Sequence, residues 1–431
     1  MPFGLSVAMS TLESFCLLPW IHAHVSAQGR RKLCCVDVPV ADRAEGGPAA
    51  SLEAYWNSEE VRNVRRQMLG GTLPQRCAHC SNTGNRTLSY KDEVLSRWPE
   101  MIEQAIASTA DDGSTTLRPV TFDYRTSTCN LRCRICGPHS STSAEIEARR
   151  TIALQELGEH VESWDHAYVE RRAAALATAR DELMAAARQG RVRHLYWAGG
   201  EPLMDTTHWE VMSELAASGE AANVDVAYNT NLTVFSYRGK SVEDVWPCFK
   251  SVYVQASVDG VGEAGEYIRT GFRTDIFTRN LDILLEMTGR HARIRAALDL
   301  TLTSVGLLHL GDLLRFALER RIHWTAKLMV PRDINRYMAV EFLPWEVRTD
   351  WCRKWMAWIE ANDRDRLFDT VYSTLELAST RTTPQPGGPA SPERSLYDAQ
   401  VIGAFEDARH DRGKFRHLLS VDRRLADLVA G

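Results

Sequence analysis

Beyond residue 117 the chain repeats one pattern: a short apolar run, a polar turn, then a stretch with apolar positions at helical spacing. The apolar runs are 119–124, 192–198, 224–228, 251–257, 293–303 and 323–330, each of strand length. Between them, 275–288 sets Phe277, Leu281, Leu284 and Leu285 on one helical face. Residues 308–320 read as a further helix, and the Ala- and Arg-rich stretch 170–187 as a solvated, packed one. Six strands alternating with helices predict an α/β fold: a partial (β/α)6 barrel with a lateral mouth rather than a closed eightfold one.

The flanks read differently. Alternation of apolar and polar residues on either side of Gly29 predicts a hairpin. Residues 51–69 predict a helix with Leu52, Tyr55, Trp56, Val61 and Val64 on one side. Residues 1–115 are therefore expected as a small α+β domain, 116–335 as the barrel, and 336–431 as a mainly helical C-terminal extension. In the extension Trp345, Trp351, Trp355 and Trp358 recur at near-helical spacing, which suits core or docking surface. Residues 382–392 form a Pro/Gly loop and hinge.

Composition narrows the classes. At 44% hydrophobic, 431 residues have ample core, and a net charge of −5 gives no bulk basic signal for nucleic acid. No apolar run is long enough to span a bilayer. Residues 1–18 lack a basic segment followed by a sustained apolar one, so a cytoplasmic location is expected. There thiols stay reduced, and seven of the ten cysteines fall in tight groups that suit metal rather than disulfides.

The densest group is Cys129, Cys133 and Cys136, at C-x3-C-x2-C spacing on the loop after the first barrel strand. Three thiolates hold three corners of a cubane iron–sulfur cluster and leave one iron open. A structural zinc wants four ligands. Loops beyond the C-terminal strand ends form the working face of parallel β/α folds. Later strands end in Gly199-Gly200-Glu201-Pro202, Asn229-Thr230-Asn231 and Ser257-Val258-Asp259-Gly260, with Arg269 shortly after. Cys16, Cys34, Cys77 and Cys80 are enough for a closed site, either a second [4Fe-4S] cluster or a four-cysteine zinc site. Cys35 is an alternative to Cys34, and in an alternating strand the two point to opposite faces. His22 and His79 lie close by in sequence.

The cysteine loop, the GGE strand end and the S-x-D-G strand end resemble the radical S-adenosylmethionine (SAM) superfamily. The C-x12-G-x4-C run from Cys16 through Gly29 to Cys34 resembles the start of the SPASM and twitch modules, here placed before the barrel. The resemblance covers roughly residues 15–335. It implies an open iron that binds SAM, reductive cleavage to a 5′-deoxyadenosyl radical, and an auxiliary [4Fe-4S] cluster. Gly199, Gly200 and Glu201 would meet the amino group of SAM, Asn229 would help to position it, Ser257 and Asp259 would reach its ribose, and Arg269 its carboxylate. An electron donor such as flavodoxin or ferredoxin is implied as partner. Two cysteines remain. Cys248 is a candidate hydrogen-atom donor to a substrate radical, while for it and for Cys352 a buried apolar role is the plainer reading. The expected reaction is hydrogen abstraction from a natural-product intermediate such as a sugar, nucleoside or amino-acid derivative. The outcome would be epimerisation, oxidation, or a C–C or C–S bond change. A peptide-modifying maturase and a non-catalytic zinc or iron–sulfur protein are the alternatives.

Overall fold

In the computed structural model, which describes residues 14–37, 51–80, 90–157, 166–331, 333–380 and 392–425, all six expected barrel strands form. The strands in chain order are β1 (His22–Val25), β2 (Arg31–Lys32), β3 (Thr121–Thr126), β4 (Arg132–Cys133), β5 (His194–Gly199) and β6 (Asp225–Thr230). They continue with β7 (Ser236–Tyr237), β8 (Lys240–Ser241), β9 (Ser251–Ser257), β10 (Arg269–Thr270), β11 (Ile294–Leu302) and β12 (Trp324–Leu328). The barrel strands β3, β5, β6, β9, β11 and β12 are neighbours in that order and run parallel. The fold class is the expected one, a partial α/β barrel with a helical C-terminal region.

The β1–β2 hairpin joins this sheet. β1 pairs parallel with β3, His22 opposite Thr121 and Val25 opposite Tyr124, so the sheet has eight strands. The register sets Ala23 and Val25 beside Phe122 and Tyr124, then Leu195 and Trp197, then Val226 and Tyr228. With period-two alternation these apolar residues share one face and pack against the helices in one core. The opposite face carries His24, Asp123, Arg125, Tyr196, Asn229, Gln255, Asp299, Thr325 and Lys327. Asn229 Nδ2 donates to Asp299 Oδ2 at 2.8 Å over the intervening β9, and Gln255 Nε2 to Thr325 Oγ1 at 3.1 Å over β11. Such contacts arise where a sheet curls toward that face.

The N-terminal residues keep a second core of Phe15, Trp20, Ile21, Leu33, Val61, Val64 and Met68. The helix expected over 51–69 is two, Leu52–Trp56 and Glu59–Leu69. Ser58 leaves helical geometry between them and accepts from Val61 N, capping the second. In the C-terminal region Trp351, Trp355 and Trp358 of the stripe pack on the core, while Trp345 is exposed. Trp355 is buried and donates to Leu307 O at 2.7 Å, and Trp351 donates to Asp422 at 2.9 Å. Helix Asp369–Thr380 covers the β12 edge, with Thr370 Oγ1 donating to Trp324 O. Residues 382–391 of the expected hinge lie outside the described residues. Among the described residues, no helix is long and apolar enough to cross a membrane.

His208 sits in the barrel core, 0% exposed, between the rings of Trp197, Trp209 and Tyr228, with Nε2 2.9 Å from Tyr228 OH. Burial pushes its pKa down to about 3. Below the unfolded value near 6.5 the unfolded chain takes up a proton that the folded one refuses, so stability is lost as pH falls. From pH 7 to pH 5 the wild type is expected to lose about 2 kcal/mol more than His208→Gln. Denaturant unfolding at both pH values checks this.

Candidate active site

Two cysteine groups are assembled by the fold. Cys129, Cys133 and Cys136 follow β3 at its C-terminal end, as expected. The loop is held from behind by the Gly-Gly turn that ends β5. Gly200 N donates to Thr126 O and Glu201 N to Thr128 O, both at 2.6 Å. A Cβ on Gly200 would stand 2.3 Å from Thr128 O, so only glycine lets the two backbones touch. Gly200→Ala is therefore expected to destabilise by about 1–3 kcal/mol and to lower retained iron. Thermal unfolding and iron content of the purified variant check it.

The cysteine loop is supplied with donors and positive charge. Leu131 N donates to Cys129 Sγ at 3.4 Å, and Asn231 Nδ2 lies 3.9 Å from the same sulfur. β10 pairs antiparallel with β4, Arg269 opposite Cys133; the hydrogen bond from Cys136 and then the buried Arg269 guanidinium favour the Cys133 thiolate, while that same bond and burial push the Cys136 thiol up. Burial pushes the Cys129 thiol up to about 12, so a thiolate there needs a cationic partner. These groups suit an anionic cluster with three thiolate ligands.

The second group gathers Cys16, Cys34, Cys77 and Cys80, the last two on the 3-10 turn Gln75–Cys80. A buried bidentate pair ties two of the segments. Arg76, next to Cys77, donates through Nε and an η-nitrogen to both oxygens of Asp37 at 2.6 Å, and Leu33 N donates to Asp37 at 2.9 Å. Burial pushes Cys16 up to about 12 and Cys77 up to about 11. Cys34 lies by Cys16. Cys35, an exposed residue, faces Arg125, Asp123 and Cys80 instead.

Of the other expected residues, Glu201, Asn229, Ser257 and Asp259 stand at or just after strand ends, and Cys248 does not. Glu201, expected against the SAM amino group, is 0% exposed and turned inward. Its carboxylate accepts from Leu203 N at 3.0 Å, Thr230 Oγ1 at 2.8 Å and Asn231 N at 2.7 Å. Burial raises its pKa to about 7 against those bonds. It fastens the β5 end to the β6 end, beside the more exposed Gly199 and Gly200. Asp259, 1% exposed, accepts from Arg269 Nε at 2.8 Å and Thr301 N at 2.9 Å. Ser257 is half-buried at the β9 end. Asn229 joins the inner-face network: Tyr196 OH donates to it, it donates to Asp299, and Lys327 Nζ donates to both Asp299 oxygens at 2.6 and 2.7 Å. Cys248 is an exposed residue on the turn Trp246–Cys248, before β9 begins, which puts it a strand's length of about 20 Å from the cysteine loop. A donor must stand beside the substrate radical, so this placement corrects the expectation. Cys352 is 0% exposed, its thiol pushed up to about 12 by burial, as a core cysteine.

Sequence reasoning missed Arg125, Tyr196, Asp299 and Lys327 on the inner face, and Arg134 and Arg409 beside the cysteine loop. Tyr196 was legible only as strand alternation. Arg134 and Arg409, which hold the loop, had no local signal.

Comparison with known proteins agrees with the geometry. Residues 124–297 match the Radical SAM superfamily model, and residues 16–81 match the iron-sulfur cluster-binding SPASM domain. No curated protein matches the sequence. Similar solved structures include Streptococcus suis SuiB bound to precursor peptide SuiA, at 12% identity and TM-score 0.37, covering 68% of this chain and 58% of that one. SuiB bound to S-adenosylmethionine gives 12% and 0.38, covering 67% and 59%. Native anSMEcpe with bound AdoMet gives 16% and 0.38, covering 61% and 68%. The chain thus spans under two thirds of the length of SuiB.

Proposed function

We propose, on the premise that this chain is a radical SAM iron–sulfur enzyme with an auxiliary-cluster domain, that it abstracts a hydrogen atom from a polar natural-product intermediate. The substrate would lie on the inner face of the open barrel. One observation carries the reading: that face is a continuous polar network. It runs from the His24–Asp123 pair through Arg125 and Tyr196 to Asn229, Asp299 and Lys327. Its hydroxyl, amide and charged groups match a sugar, nucleoside or amino-acid derivative.

In this reading Cys129, Cys133 and Cys136 hold the cluster with an open iron, and Cys16, Cys34, Cys77 and Cys80 the auxiliary one. SAM with the reduced cluster supplies the 5′-deoxyadenosyl radical. Arg269, fixed by Asp259, offers positive charge at the cluster edge. Glu201 fixes the strand ends on which SAM rests. The inner face orients the substrate toward those ends. A flavodoxin- or ferredoxin-like protein would deliver the electron, and the products would follow by epimerisation, oxidation, or a C–C or C–S bond change.

The test is anaerobic turnover with deuterated polar small molecules, reading 5′-deoxyadenosine and its deuterium content. The wild type is expected to release 5′-deoxyadenosine and to take deuterium from the right substrate. Asp299→Ala is expected to keep substrate-free release and to lower deuterium transfer by about tenfold, the loss of one charged hydrogen bond. S-adenosylhomocysteine in place of 5′-deoxyadenosine would overturn the reading. Deuterium taken from peptides and from no small molecule would replace it with peptide modification.

A further inference from the structure

We propose that His22, His24 and Asp123 form a third metal site, a two-histidine, one-carboxylate set for a divalent first-row transition cation on the inner face of the sheet. The site comes from register. β1 and β3 pair with His24 opposite Asp123, and alternation turns His22 to the same face as His24. One ring nitrogen of each histidine and one oxygen of Asp123 lie within 4.8 Å of one another, which holds for no other such group among the described residues. Ligands about 2.1 Å from one ion are at most about 4.2 Å apart, so side-chain shifts of under about 1 Å close the set.

A second observation points to a ligand. His22 is 5% exposed, and its Nε2 is buried without a hydrogen-bond partner, while Nδ1 lies 2.8 Å from Thr121 Oγ1. His208 Nδ1 is likewise buried and unmatched, but it stands among aromatic rings, whereas His22 stands beside a second imidazole and a carboxylate. Burial holds the His22 pKa down near about 4, so the ring is neutral at pH 7, the form that ligates. Asp123 stays ionised. Burial works against its charge, but the Arg125 guanidinium beside it outweighs that and holds it well below the usual carboxylate range.

One positive group already stands on the carboxylate, the Arg125 guanidinium, and the ion would share Asp123 with it. His24 Nδ1 lies 2.8 Å from Asp123 Oδ2, and Arg125 donates to Oδ1 at 3.1 Å and to Oδ2 at 3.0 Å. Oδ1 thus has one bonded neighbour and a lone pair to give. Arg125, the nearest positive charge, is drawn over the Tyr196 ring at 5.3 Å. Two imidazoles and a carboxylate suit zinc or iron(II), and three protein ligands leave a coordination position open toward the inner face.

The test uses the full-length protein with its iron–sulfur clusters reconstituted, so that the cluster cysteines are occupied. It is equilibrated anaerobically with Zn²⁺, desalted, and read by metal analysis and zinc-edge X-ray absorption. One zinc per chain is expected, with nitrogen and oxygen neighbours at about 2.0–2.1 Å and no sulfur at about 2.3 Å. His22→Ala and Asp123→Asn should each lose the zinc at unchanged iron content. Failure of the wild type to retain zinc would overturn the site, as would sulfur in the shell or zinc kept in both variants. The wild-type measurement decides even where a variant folds poorly. It involves neither SAM nor substrate, so its failure leaves the radical reaction standing.

Discussion

Alanine at Cys129, Cys133 and Cys136 together is expected to cut bound iron from about eight to about four atoms per chain and to end 5′-deoxyadenosine release. The three thiols stand on one loop, and the second set stands on three other segments. Removing the first set therefore strips one cluster and leaves the other its ligands. The converse variant, alanine at Cys77 and Cys80, should lose the other four irons and keep SAM cleavage without substrate. Iron, acid-labile sulfide and 5′-deoxyadenosine measured on the same preparations check both. About four irons and one zinc in the wild type, with the zinc kept by the triple variant, would make the N-terminal set a zinc site. Eight irons in the triple variant would take the catalytic cluster off this loop.

What could be read in the sequence was whatever is local. The barrel strands are runs of apolar residues with a period, and β5, β9 and the others fall within a few residues of expectation because burial on the helix-covered face fixes that pattern. The cysteine loop and the GGE turn were legible because their chemistry sits in adjacent positions. The break at Ser58 had a signal too, a capping serine followed by two glutamates, which a reading for apolar spacing passed over.

What could not be read is whatever depends on partners far along the chain. No periodicity says that β1 will pair with β3, a hundred residues on, so the sequence alone places the hairpin in a unit of its own. The spacing of Glu201 locates it at a strand end but does not say whether its carboxylate faces ligand or Asn231. The direction is set by donors that β6 brings up after folding. His22, His24 and Asp123 are unremarkable in sequence for the same reason. They become a group only in the parallel register of two strands.

Arg409→Met is expected to destabilise the protein by about 3 kcal/mol and to speed the loss of iron from the cysteine loop. Arg409 is on the C-terminal helix Pro392–Arg409, its side chain 2% exposed. It donates to both oxygens of Glu147 at 2.6–3.2 Å and to Thr270 Oγ1 at 3.3 Å. Glu147 is on the helix Thr142–Arg150 that leaves the cysteine loop, and Thr270 is on β10, which pairs with the strand carrying Cys133. One guanidinium thus joins the extension to both sides of the loop. A second tie stands beside it: buried Arg134, between Cys133 and Ile135, pairs with Asp411 and lies over the Tyr267 ring at 3.8 Å. Removing Arg409 leaves Glu147, 5% exposed, with Arg132 alone at 3.0 Å, and a buried carboxylate missing its main partner is the costly half of a broken ion pair. The double variant Arg409→Met, Glu147→Leu removes that stranded charge and should regain most of the loss. Thermal unfolding and the rate of iron release to a chelator, on both variants, check this. A double variant as unstable as the single one would mean that shape, and not the stranded charge, is what the extension gives the loop.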